Sequence, residues 1–253
     1  MTAQPKLKLN EIVEKINKLS LADRKNTFLL GQIKRDAQTL RKNDALSASI
    51  ILGMVASIEN NIDEMRSHHE NALRINESDF FANINYAASL WKTWFLSEAN
   101  DYYLKAYETN PSDYRVILNL VNNLLFMGRF KDANSWLIKL EKQFPDGQRD
   151  AKKFIEEALD FLNENKISEK DIKSYLDLAV SVLHSQGIFF TGRDVSFSED
   201  EESRSISYEI KLDLPVRQIV DLNWKFAEKL AERDDLLDLV CKVNVSYTPW
   251  RER

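Results

Sequence analysis

A 34-residue periodicity through the middle of this 253-residue chain constrains its fold more than any other feature. Pro111 and Pro145 lie 34 residues apart, as do Ala99 and Ala133, and Asn85 and Asn119. Self-similarity at such a period means that each unit is one supersecondary element that cannot bury its apolar face alone and must stack on its neighbours. Three windows follow from the spacing: 46–79, 80–113 and 114–147. In the third, Leu118, Leu120, Val121, Leu124 and Leu125 recur at helical spacing. Gly128 suits a left-handed helix end, and Pro145, which a helix interior does not tolerate, marks the boundary of the repeat.

The composition agrees with helices and narrows the chemistry. Six Gly and five Pro are too few for an all-β fold built on tight turns, for a collagen-like chain or for a disordered linker. Neither GxxxxGK[ST] nor GxGxxG occurs, so no Gly-rich phosphate loop is expected. A single cysteine, Cys241, excludes an intrachain disulfide and a CxxC zinc site. Of the three histidines, His68 and His69 are adjacent on a helix and cannot share a face as an i, i+4 metal pair does. No apolar run reaches the roughly 18 residues of a membrane span, and the N-terminus lacks the apolar core of a signal peptide. A cytoplasmic, non-enzymatic protein without metal or cofactor is the expectation.

The three windows resemble the tetratricopeptide (TPR) family, whose 34-residue repeats pair two antiparallel helices. Window three carries Leu120, Gly128, Phe130, Ala133 and Pro145 in that pattern, with Leu140 where a small residue is usual. Window two carries Tyr86, Ala87, Leu90, Ala99, Tyr103, Ala106 and Pro111. Window one keeps Leu52, Gly53, Ala56 and Ala72, but has Met65 at the helix crossing and Glu77 in place of the closing proline. The resemblance implies a mainly α fold, a right-handed α-solenoid of helical hairpins. It also implies a concave groove lined by the first helix of each hairpin, where a partner peptide or helix binds. Carried onto this sequence, the groove residues are Phe81, Asn85, Trp91, Lys92, Arg115, Asn119, Asn122, Phe126, Arg149 and Lys153. Such a groove is apolar and aromatic at one end and basic at the other, with asparagine amides between, and suits an apolar partner segment that carries acidic residues. Asn119, Arg149 and Lys153 match the latter part of the family's carboxylate clamp, whereas Ile84 and Ala88 stand where its first part needs polar groups. A second reading of the same positions is open: Ile50, Ile51, Met54 and Ile58 pack under the N-terminal helices, and the C-terminal residues fill the rest.

Residues 8–43 read as two capping helices, near 9–19 and 22–42, with Phe28, Leu29, Ile33, Ala37 and Leu40 along one face of the second. Two amphipathic segments after Pro145 complete a helical domain over 1–186. The period then changes to two. SISYEIKLDL alternates through Ile206, Tyr208, Ile210, Leu212 and Leu214, and LVCKVNVSY through Leu239, Cys241, Val243, Val245 and Tyr247, which places Cys241 on a buried strand face. Between them a helix opens near Pro215 with Val216, Ile219, Val220, Asn223, Ala227 and Leu230 along one stripe. With FFTGRDVSF as a further strand, residues 187–253 are expected to form a small α+β module of order β-β-α-β, whose thin core leans on the helices or pairs with a second copy through a sheet edge. The functional expectation is a protein-interaction scaffold or adaptor. Its alternatives are an enzyme or nucleic-acid-processing protein with its site in 187–253, and an antitoxin-like regulatory binder of a neighbouring gene product. The net charge of −5 gives no general basic footprint for nucleic acid.

Overall fold

A computed structural model describes residues 11–144, 149–188, 192–199 and 204–250. They are mostly helical, with one small sheet near the C-terminus. In chain order the helices are α1 (11–17), α2 (Leu21–Arg24), α3 (Thr27–Leu40), α4 (Ala45–Ile58), α5 (Ile62–Ile75), α6 (Phe80–Lys92), α7 (Leu96–Thr109), α8 (Tyr114–Phe126), α9 (Phe130–Gln143), α10 (Arg149–Glu164) and α11 (Glu169–Ser185). Strands β1 (Gly192–Glu199) and β2 (Arg204–Leu212), helix α12 (Val216–Ala231), a 3-10 turn (Asp234–Leu239) and β3 (Val243–Pro249) follow. The described residues fall into two compact units that divide between Val116 and Ile117.

The 34-residue period is built into the backbone. Helices α5, α7 and α9 start at Ile62, Leu96 and Phe130 and end at Ile75, Thr109 and Gln143. Between the helices of each hairpin one residue takes a positive φ: Asn60 at 59°, Trp94 at 66° and Gly128 at 67°. The next backbone N–H then donates to the carbonyl five residues back, in Asn61 to Ala56 (3.0 Å), Phe95 to Leu90 (2.9 Å) and Arg129 to Leu124 (2.9 Å). This 6→1 bond satisfies a carbonyl that the helix end leaves over, and the left-handed residue turns the chain back. Met65, Ala99 and Ala133, the helix-crossing positions of the three windows, are all fully buried.

In the first unit α4 is the centre. Residues 47–57 are buried on every side of it, because α3, α5 and α6 all pack against it. Ile50, Ile51 and Met54 join Ile16, Leu30, Ile33, Ala37 and Leu40 in one core, with Ile58 and Phe81 at its margin. The expected second N-terminal helix is two helices. Asn26 interrupts it by accepting from Leu29 N (3.0 Å), a side-chain cap that starts α3. Phe28 then falls on the outer face, 76% exposed, and Leu30 takes the inward place expected for it.

In the second unit β2 is central, antiparallel to β1 and parallel to β3, with Val195 opposite Tyr208 and Ile210 opposite Tyr247. Ile206, Tyr208, Ile210 and Leu212 are buried as the alternation predicts. Phe197 of β1 meets Phe154 and Phe161 of α10 at ring distances of 5.5 and 5.7 Å. Tyr247 donates its hydroxyl to Ala179 O of α11 (2.6 Å), and burial drives this phenol's pKa upward. The outer edge of β3 is engaged by a side chain: Asn223 of α12 accepts from Tyr247 N (3.0 Å) and donates to Tyr247 O (2.9 Å), as a neighbouring strand does.

Two further expectations are corrected. Cys241 is exposed, because β3 begins at Val243 and residues 240–242 form a turn. The α12 stripe is rotated: Ile219, Leu222, Phe226 and Leu230 face inward, while Val216 and Val220 are exposed.

Gly128 carries the sharpest stability prediction. Its backbone is left-handed, and a Cβ there runs into Cγ2 of Ile172 on α11. Gly128→Ala should cost roughly 1–3 kcal/mol in denaturant unfolding. Asn60→Gly should leave stability unchanged or slightly raised, because an exposed left-handed turn position favours glycine.

Candidate functional site

Helix α6 carries four of the expected groove residues, and its placement is fixed at both ends. Asp79 caps it by accepting from Ala82 N (2.8 Å), and the buried Asn83 amide donates to Glu77 O (2.8 Å) and Asp79 O (2.9 Å). At its C-terminal end Thr93 Oγ1 donates to Ser89 O (2.9 Å), and Trp94 turns inward, buried, on its left-handed backbone. Four expected site residues lie on this helix. Phe81 is half-buried against the first unit's core. Asn85 is buried and donates Nδ2 to Phe81 O (2.8 Å). Trp91 and Lys92 occupy the last turn, both half-buried.

Lys92 has an unusual environment. Burial pushes its ammonium down to about 8, and the positive charge of Arg24 on α2 adds to the effect. Nε of Arg24 is buried and makes no hydrogen bond within the described residues. Asp23, the acid next to it in sequence, is committed to the start of α2, where it accepts from Ser20 Oγ (2.7 Å) and Ser20 N (3.1 Å). A partly dehydrated cation under the influence of a second positive charge, with no counter-ion among the described residues, favours an incoming anion. Arg24 was not among the expected residues; it belongs to a capping segment with no motif, and only the fold brings it to Lys92.

The remaining expected residues are spoken for to different degrees. Arg115 is exposed but forms a fork with Asp113, through Nε to Oδ1 (3.1 Å) and Nη2 to Oδ2 (2.7 Å), which holds the Asp113 carboxyl below its usual range. In the second unit Asn119 and Asn122 are half-buried on α8. Phe126, on the same helix, lies under the Arg193 guanidinium of β1 at 4.1 Å, and the neighbouring Leu125 O accepts from Tyr208 OH (3.5 Å). The strand module thus covers the C-terminal end of α8. Lys153 is exposed and faces Glu157 at 3.7 Å. Arg149 begins α10, but its side chain lies outside the described residues.

A second polar constellation lies in the core between α5 and α6. His69 Nε2 is 2.9 Å from Ser89 Oγ, and its ring stacks on Tyr86 at 4.8 Å. Gly53 on α4 is required beside it, because a Cβ there meets the imidazole at 2.6 Å. A serine and histidine at this distance are the beginning of a nucleophilic pair. Here both are buried, and His69 Nδ1 has no hydrogen-bond partner among the described residues to orient it. Burial lowers the His69 pKa to about 3, so the ring is a neutral structural element. Among the described residues no group of three or more His, Cys, Asp or Glu is placed to hold a metal ion, and no helix is long and apolar enough to cross a membrane.

No protein-family model matches the chain, and no curated protein matches it at a significant level.

The buried imidazole sets a pH dependence. His69 is at about 3 when folded against 6.5 for a free side chain, so below pH 6.5 the unfolded chain binds a proton that the folded chain does not. Stability is full above 6.5 and falls as the pH drops toward 3, at about 1.4 kcal/mol per pH unit. His68, also lowered by burial, acts in the same direction. His69→Gln should flatten the slope between pH 7 and 5 in urea unfolding, although it lowers stability at pH 7.5.

Proposed function

We propose that the chain is a protein-interaction module: a TPR-like α-solenoid that receives a partner segment on the α6 face, with an acidic group of the partner at Lys92 and Arg24. The observation that carries this reading is Lys92, half-buried in the last turn of α6 beside Trp91, its ammonium lowered by burial and by the charge of Arg24, with no ion pair to an acid among the described residues. The recurrence of hairpins at 34 residues supports the solenoid. The packing of α4 and Phe81 into the first unit's core, and the burial of Asn85, leave the half-buried Trp91 and Lys92 as the part of the α6 face open to a partner. A lone exposed thiol at Cys241 fits a reducing, cytoplasmic setting.

The test is quantitative capture. Tagged full-length protein is compared with Lys92→Glu and Arg24→Glu variants by co-purification and mass spectrometry, with Lys18→Glu as an exposed control. A specific partner should be lost by at least about tenfold from both variants and retained by the control, with melting temperatures unchanged. Its binding should weaken with added salt and as the pH rises through about 8, where Lys92 gives up its charge. Equal capture by all four proteins would remove the α6 face as the site.

A further inference from the structure

Helix α12 has two apolar faces, and only one packs against other described residues. Ile219, Leu222, Phe226 and Leu230 face inward and are buried. On an adjoining side, about a third of a turn round the helix, Val216, Val220 and Trp224 recur every four residues and are 64%, 46% and 68% exposed. Single exposed apolar residues need no explanation. Three in line on one ridge, with the exposed Ala227 and Ala231 extending it for the rest of the helix, form a continuous unpartnered face.

The charges beside this ridge define what fits it. Arg217 and Glu228 are eleven residues apart, about three turns, and so lie on the same side of the ridge. Both are exposed, and neither makes an ion pair among the described residues. When a second α12 is laid antiparallel on the first, with Val220 opposite Trp224, Arg217 of each copy stands opposite Ala227 of the other, one residue and about 1.5 Å along the axis from Glu228, and a two-fold axis repeats the pair. The ridge is therefore complementary to itself in shape and in charge, as an isologous contact requires.

We propose that this face is a homodimer interface, in which α12 of one chain packs antiparallel on α12 of a second copy. The contact uses the helix ridge next to Asn223 and not the β3 edge that Asn223 already engages. It is independent of the Lys92 site on α6, so either reading can fail without the other.

Sedimentation velocity and light scattering over a range of protein concentrations test the proposal. The wild-type chain should move from 29.4 kDa toward twice that mass as concentration rises. Trp224→Glu should be monomeric throughout with an unchanged helical circular dichroism signal and melting temperature, because the side chain is exposed in the monomer. Arg217→Glu should raise the dimer dissociation constant about tenfold, and Arg217→Glu with Glu228→Arg should restore it. A wild-type chain that stays monomeric at every concentration overturns the proposal. So does a dimer that survives Trp224→Glu, or a charge reversal that the second substitution does not rescue.

Discussion

The architecture depends on one residue per hairpin adopting a left-handed backbone. Hairpins of one length recur only if each pair of helices turns back after the same number of residues. Positions 60, 94 and 128 provide this, each followed by the same 6→1 hydrogen bond. The conformation costs an ordinary L-residue about 1–2 kcal/mol, and each turn offsets that cost differently. Asn60 is of a residue type that tolerates it. Trp94 offsets it by burying an indole. Gly128 has no Cβ to strain and leaves the space that Ile172 fills.

The parts of the fold that were legible from sequence are those where local chemistry and periodicity speak together. Pro111, Gly128 and the alanines at 99 and 133 place the hairpins, and the alternation from Ile206 to Leu212 places β2; Pro145 lies outside the described residues. Other features depend on tertiary context. Nothing about a tryptophan announces a left-handed turn, so position 94 is visible only in the backbone. Leu239, Cys241 and Val243 continue an apparent alternation, but Leu239 is buried from a 3-10 turn and the strand starts four residues later. On α12 the apolar residues span more than one face, and sequence alone does not say which part the sheet takes. The burial of Phe226 against Tyr175 and Tyr247 decides it.

The candidate site shows the same division. Lys92 was reachable from repeat register, whereas Arg24 lies 68 positions earlier, and only the fold brings its charge to bear on Lys92. Asn85 was expected as a free amide, but its Nδ2 returns to Phe81 O one turn back, a local bond that periodicity does not reveal. Phe126 was expected to face a partner, and in the second unit Arg193 of β1 takes that place. A groove position derived from repeat register therefore describes where a side chain stands on its helix. Whether it meets solvent depends on segments outside the repeats.

The polar contact between α5 and α6 bears on how such a repeat keeps its order. At the places equivalent to His69 the other two hairpins carry Tyr103 and Leu137, both buried. An apolar residue therefore fits this position, and a neutral histidine with one ring nitrogen unsatisfied is not the most stable choice. What histidine adds is a requirement for register. Its Nε2 needs the hydroxyl of Ser89, its ring needs the face of Tyr86, and its volume needs the missing Cβ of Gly53. A slip of one residue along α6 removes the hydroxyl and leaves both ring nitrogens buried without partners, a penalty that apolar neighbours do not impose. In a chain whose three hairpins have nearly the same length, that penalty specifies which surface of α6 the first hairpin accepts.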